Sequence, residues 1–251
     1  MHIAFAASEC VPFSKTGGLA DVVGALPKAL AQLGHQVTVY LPRYKQTKLN
    51  DAQVVVRSIT VPFDDQYRFC SILAGSNQQG VQYYFVEYPP YFDRDALYGT
   101  PVGDYPDNAE RFALFSRAVL EGSKVLGVPH VFHCHDWQSA LVPVLLRTLY
   151  AEDPAFREVG CAFTIHNIGY QGLFPSEILP LLMLPWDLFT MRDRIGAIRI
   201  DYDGAIQIEI TDSTICGRCD LVTKPEIDRQ IWADAEVILG KCCEIPIASW
   251  I

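Results

Sequence analysis

The sequence is short of charge, and of positive charge above all. Only 20% of its 251 residues are Asp, Glu, Lys or Arg, and the net balance is −9. It has no dense Lys/Arg stretch to lay against a polyanion. Nucleic acid and anionic membrane are therefore excluded as expected partners, and an anionic ligand has to be met by a few local donors. No window holds eighteen uninterrupted apolar residues, so no membrane span is expected. The opening MHIAFAASEC lacks the basic start of a signal peptide and reads as a strand. Neither GxGxxG nor a Walker A loop occurs, and there is no internal repeat or low-complexity segment. The eight cysteines do not form the pattern of a disulfide scaffold. Six of them (Cys10, Cys70, Cys134, Cys161, Cys242, Cys243) adjoin apolar runs, where a free thiol serves as a small hydrophobe. A reducing cytoplasm is the expected compartment. What the chain has in quantity is apolar surface. Half of its residues are apolar, enough to bury a large core, and the length suits one large domain or one and a half.

The first 190 residues alternate between strand and helix signals. An apolar run over 3–7 ends in a turn-rich loop over 8–18. Leu19, Val22, Val23, Leu26, Leu30 and Leu33 then recur at helical spacing, and Gly34 supplies the stop. With a strand over 36–41 this makes a βαβ unit, which implies a parallel sheet with a right-handed crossover. Strands over 53–61, 67–74 and 81–86 are spaced closely enough for a partly antiparallel insertion. Asp107 is expected to cap a long helix reaching about 126. Short buried strands over 131–134 and 161–165 flank a helix expected over about 137–150. The fold class is thus α/β: a Rossmann-like, doubly wound, mainly parallel sheet. Ligands in such sheets bind at the carboxyl ends of the strands. Three such ends, 8–18, 133–137 and 166–172, are expected to share one crevice.

Each of these loops carries polar chemistry. In Ser14-Lys-Thr-Gly-Gly-Leu-Ala-Asp-Val22, two glycines let the backbone approach a ligand, the start of a helix offers N–H groups to an anion, and Lys15 adds a point charge suited to phosphate. A plain tight turn is the bland alternative. In His133-Cys-His-Asp-Trp137, a carboxylate and imidazoles meet an indole, the combination that bonds sugar hydroxyls and stacks on sugar rings. His133, His135 and Asp136 would also supply three metal ligands, with alternation placing the two histidines on one face. The sugar reading is preferred, with His133 as a core histidine. His166 and Asn167 leave the next strand into a glycine-containing loop. The segment from Tyr98 to Arg111 carries more aromatic residues than a helix cap requires.

Taken together, MHIAFAASECVPFSKTGGLADVVGALPKAL, YPDNAERFALF, HCHDWQSALVP and FTIHNIGYQGLF resemble the N-terminal catalytic domain of bacterial glycogen synthases and plant starch synthases, over residues 1 to about 191. The resemblance implies one lobe of the two-lobed GT-B architecture. It also implies a retaining transfer of glucose from ADP-glucose, or UDP-glucose in some relatives, to the non-reducing 4-OH of an α-1,4-glucan, with no metal or other cofactor. Carried over by position, Lys15 and Gly18 would contact the donor phosphates. Asp21 would lie on the nucleotide side, with Glu9 in the loop just ahead. Asp136, Trp137 and Tyr98 would face the acceptor. His166, with Asn167 beside it, would contact the transferred glucose, so His166 and Asp136 are the expected catalytic residues. A non-catalytic glucan-binding or regulatory protein is the alternative, and the retained Lys15 and Gly18 favour the enzyme.

The last sixty residues, 192–251, do not resemble the family. The second lobe's Arg/Lys pair for the diphosphate and its acidic ribose motif are not found in them. A truncation, a fusion or a short replacement module fits this pattern equally. Strict alternation over 198–210 around Asp203-Gly204 predicts a hairpin with a two-residue turn, and a helix is expected over 224–239. Cys216 and Cys219 form a CxxC, with Cys242 and Cys243 downstream. A zinc or redox role is the sharper reading, and inert thiols the preferred one.

Overall fold

The computed structural model describes residues 1–49, 51–167, 169–175 and 178–185, and the backbone of 197–200 and 206–209. The chain opens with β1 (His2–Ala6), α1 (Leu19–Gln32) and β2 (Gln36–Pro42). A meander follows, formed by β3 (Gln53–Phe63), β4 (Gln66–Ala74) and β5 (Val81–Glu87). After the short α2 (Pro89–Phe92) and the two-residue strands β6 (Gly99–Thr100) and β7 (Gly103–Asp104) comes the long α3 (Asn108–Leu126). Then follow β8 (Val131–His135), α4 (Leu141–Arg147), β9 (Gly160–Thr164) and α5 (Ile178–Leu182).

Seven of these strands form one sheet in the order β3-β4-β5-β2-β1-β8-β9. From β5 to β9 every pairing is parallel, while β3 and β4 add an antiparallel edge. This is the mainly parallel sheet with an antiparallel insertion that the alternation predicts. All of β1 is buried, as a central strand covered on both faces must be. Its pleat sends Ile3 and Phe5 into one core, with Leu19, Val23 and Leu30 of α1. Ala4 and Ala6 go into the other, with Phe112, Phe115 and Val119 of α3. Helix α1 ends in a Schellman pair: Gly34 N–H bonds Ala31 C=O and His35 N–H bonds Leu30 C=O. Gly34 stands at φ +89°, a region open to glycine at little cost.

Three expectations change. Asp107 stands at the start of α3, yet its side chain caps nothing. Arg94 takes both carboxylate oxygens instead, because a charge-assisted fork outcompetes a neutral N–H donor. The helix expected over 137–150 is a 3₁₀ turn, Trp137–Ser139, followed by the shorter α4. Pro143, in the first turn of α4, has no N–H for the Ser139 carbonyl, so one helical bond across the junction of the two turns is absent. Finally, β10 (Ala197–Ile200) and β11 (Ile206–Glu209) pair antiparallel with Ile200 opposite Ile206. A two-residue turn at Asp203-Gly204 would set Ile200 opposite Gln207, so the register differs by one residue. Residues 203 and 204 themselves lie outside the described residues, as do the helix expected over 224–239 and Cys216, Cys219, Cys242 and Cys243. The four described cysteines are buried free thiols.

Candidate active site

Strands β1, β8 and β9 are parallel neighbours, so the loops leaving their carboxyl ends emerge side by side. The loop after β1 is organised around Glu9, which is 3% exposed. Its Oε2 accepts the N–H groups of Thr16 and of Gly17, the latter at 3.2 Å. Its Oε1 accepts the Thr16 hydroxyl at 2.6 Å and the Tyr98 hydroxyl at 2.6 Å. Tyr98 Oη also lies 2.7 Å from Ser8 Oγ. Burial, with Tyr44 and Glu9 nearby, holds the Tyr98 phenol well above its ordinary value, so it stays a neutral donor. The polar atoms of Glu9 and Tyr98 hold the loop that carries Lys15 in shape.

Lys15 itself is half-exposed. Its Nζ reaches both carboxylate oxygens of Asp21, at 2.6 and 2.7 Å. Asp21 therefore holds the ammonium at the mouth of the loop, where an incoming anion would compete for it. A Cβ added at Gly17 or Gly18 would meet nothing within 4 Å. Gly18 has ordinary helical angles, φ −70° and ψ −21°. Neither packing nor, at Gly18, backbone conformation demands a glycine here. What the pair leaves is open space over the start of α1, where the first N–H groups have no intrahelical acceptor.

At the end of β8, alternation does place His133 and His135 on one face, with ring centroids 4.2 Å apart. His133 Nε2 lies 2.8 Å from Thr164 Oγ1 on β9. His135 stacks on Phe5 and its Nδ1 lies 2.9 Å from His166 Nε2. Burial pushes the His133 imidazole down to about 3 and that of His135 well below its ordinary value, so both are neutral. Asp136 follows at φ +54° and ψ 178°, a region nearly reserved for glycine that costs on the order of 1–3 kcal/mol. The cross-strand bonds over-determine it. Its N–H donates to Thr164 C=O at 2.9 Å. Its Oδ1 accepts His166 N–H at 2.6 Å and Asn167 N–H at 3.4 Å. Asn167 Oδ1 in turn accepts Gly169 N–H. Asp136, His166 and Asn167 thus form one hydrogen-bonded unit.

Trp137 is half-buried and packed edge-to-face against Phe112 and Phe174. A Cβ on Gly172, at φ +63°, would sit 2.7–2.8 Å from the indole. The ring is a packing hub between loops as much as a platform. Phe112 also touches the Tyr98 ring, so a continuous contact runs from Glu9 through Tyr98 and Phe112 to Trp137. Arg111 is fully buried and donates to the carbonyls of Tyr91 and Leu97 and to Asn108 Oδ1. The Phe92, Tyr105 and Phe112 rings surround it. The aromatic surplus of that segment packages this cation. Among the described residues, no group of three or more His, Cys, Asp or Glu side chains is set to hold a metal ion. His135, read from the sequence as a sugar-hydroxyl partner or a metal ligand, is instead wholly buried, with its ring against His166.

Comparison with known proteins gives this geometry its family. The chain is 79% identical over 191 residues to a glycogen synthase of Koribacter versatilis, covering 76% of this chain and 40% of that protein. It is 44% identical over 224 residues to a glycogen synthase of Syntrophotalea carbinolica, covering 86% of this chain and 46% of that one. The chain therefore spans less than half the length of these relatives. The structure matches the catalytic domain of starch synthase IV from Arabidopsis thaliana, solved bound to ADP and acarbose. That match has a TM-score of 0.67 at 33% identity, over 74% of this chain and 38% of the other. The family model for the starch synthase catalytic domain matches residues 2–205, and the chain belongs to that family.

Proposed function

We propose that the chain is the N-terminal lobe, residues 1–191, of a retaining glucosyltransferase. It would act in glycogen or starch synthesis, moving glucose from ADP-glucose to the non-reducing end of an α-1,4-glucan. The observation that carries this reading is the bonded set of loops at the carboxyl ends of β1, β8 and β9. It presents a phosphate-type loop and, beside it, the Asp136 carboxylate holding the backbone of His166. The ADP and acarbose bound by the Arabidopsis relative are the corresponding ligand chemistries, a nucleoside diphosphate and a glucan-like oligosaccharide.

In this reading Lys15 and the open backbone at Gly18 meet the diphosphate, and Asp21 keeps Lys15 poised on the nucleotide side. Glu9 and Tyr98 hold that loop at the angle its ligand needs. His166 and Asn167 face the transferred glucose, with Asp136 fixing their backbone. Trp137 offers its remaining indole surface to the acceptor. No metal or cofactor takes part, and the compartment is the cytoplasm, where buried free thiols persist. The test is calorimetric titration of the purified chain with ADP-glucose and, separately, maltotetraose. Both bind, and Lys15→Ala weakens only the nucleotide. Failure of the parent chain to bind either ligand overturns the reading.

A further inference from the structure

His135 has no part in the functional reading so far, yet it is the buried side chain placed closest to the chemistry of His166. It has no exposed surface, it is stacked on Phe5 at 13° between planes, and its Nδ1 lies 2.9 Å from His166 Nε2. The two rings are themselves nearly parallel, at 20°. The other ring nitrogen, Nε2, is buried and has no hydrogen-bond partner among the described residues.

A neutral imidazole has one N–H and one lone pair. The proton of His135 can sit on Nδ1, inside the bond to His166, which leaves only a lone pair at Nε2. Or it can sit on Nε2, where a buried donor has no acceptor. Orphaned buried N–H groups are rarer and costlier than under-used acceptors, so the first arrangement wins. His166 Nε2 is then the acceptor in the shared bond, and a neutral His166 has to carry its own proton on Nδ1. The tautomer of a ring is set by the bond its other nitrogen makes.

We propose that His135 is a positioning residue whose Nδ1–H donates to His166 Nε2. It thereby fixes the His166 proton on Nδ1, so that His166 meets a hydroxyl oxygen of the transferred glucose as a hydrogen-bond donor. The last clause rests on the glucosyltransferase reading above; the proton assignment does not. The ordinary preference of a solvated histidine is the opposite tautomer, with the proton on Nε2. The buried neighbour reverses that preference without touching substrate. Asp136, accepting the His166 N–H, anchors the same residue from its backbone side.

The decisive measurement is a long-range proton–nitrogen correlation spectrum of the imidazole rings in the 15N-labelled 251-residue chain at neutral pH. His166→Gln identifies the His166 signals. We expect a protonated-type signal from His166 Nδ1 and an unprotonated-type signal from Nε2. His135→Phe keeps an aromatic ring on Phe5 and removes the donor, so His166 should move to the Nε2–H form. His135→Asn places an amide donor near the position of Nδ1 and should restore the Nδ1–H form. A parent spectrum in which the His166 ring shows Nε2–H, or protons on both nitrogens, overturns the proposal even if neither His135 variant folds. So does a folded His135→Phe chain that keeps the parent tautomer, or a His135→Asn chain that tracks the Phe variant. Adding ADP-glucose separates the two readings. Binding that leaves the His166 Nδ1–H resonance unmoved sinks the donor role toward glucose. No binding, with the tautomer as expected, sinks the glucosyltransferase reading and leaves the His135 assignment standing.

Discussion

Glu9 and Lys15 sit six residues apart in one loop and fail in different ways. Glu9 has all its acceptor capacity filled from inside the chain. In Glu9→Gln an amide donor faces N–H and O–H donors, and a buried group left unpaired costs about 1–3 kcal/mol. The expected outcome is a lower urea midpoint together with weaker ADP-glucose binding, although Lys15 is intact. Lys15 and Asp21 are both more than half exposed. Such an ion pair contributes about 0–1 kcal/mol to stability, so Lys15→Ala should leave the urea midpoint unchanged. Its loss falls on the ligand. A charge-assisted phosphate contact is worth about 1.5–3 kcal/mol, and competition from Asp21 puts the effect near the lower end, roughly tenfold in affinity. Salt should shrink the difference, as it does for exposed charges. Urea denaturation and calorimetry on the two variants separate a strut from a contact. An unchanged nucleotide affinity in Lys15→Ala would remove Lys15 from the site.

Strand β8 adds acid sensitivity to the fold, as does the buried His2 of β1. In the unfolded chain a histidine binds a proton below its ordinary value of about 6.5, whereas folded His133 does so only near 3 and His135 well below its ordinary value. Between those limits the unfolded state holds more protons, so stability falls as pH falls. Each such histidine contributes up to about 1.4 kcal/mol per pH unit. Urea midpoints measured from pH 7 to pH 4 should drop steeply, and His133→Gln should flatten the slope. A second expectation concerns the covering loop. Gly172→Ala adds a Cβ at φ +63° against the indole of Trp137, at a cost of order 1–3 kcal/mol. Changed tryptophan emission and weaker maltotetraose binding should accompany it. Elements such as β1, α1 and β8 were legible because apolar spacing and a glycine stop are local signals. The 31-residue gap between His135 and His166 carries no local signal. Neither does the Arg94 fork that takes Asp107 from its cap. Both are settled by partners that only the fold brings together.

At the scale of the whole molecule the decisive expectation is inactivity: the 251-residue chain alone should not measurably elongate glycogen. Glucosyl transfer needs donor and acceptor held in near-attack geometry in a cleft that excludes water, and positive groups to stabilise the departing nucleoside diphosphate. In the function proposed above, the described sheet edge would supply one wall. Its poised cation, Lys15, is half-exposed and already shared with Asp21, while Arg111 is locked under the Tyr98 loop. The family resemblance assigns the remaining cationic clamp to a second lobe, and the chain spans only 40–46% of the bacterial relatives described above. Each absent charge-assisted contact is worth about 1.5–3 kcal/mol, or roughly ten- to a hundredfold in rate when it acts in the transition state. Two or three such losses, with water admitted to an open face, place turnover below detection, whereas a weak maltotetraose site on the Asp136–Trp137 side should persist. The measurement is incorporation of labelled glucose from ADP-glucose into glycogen, with Lys15→Ala as the control. Robust incorporation that depends on Lys15 would mean that residues 192–251 rebuild the missing wall, and the division of labour between lobes would have to be redrawn around them.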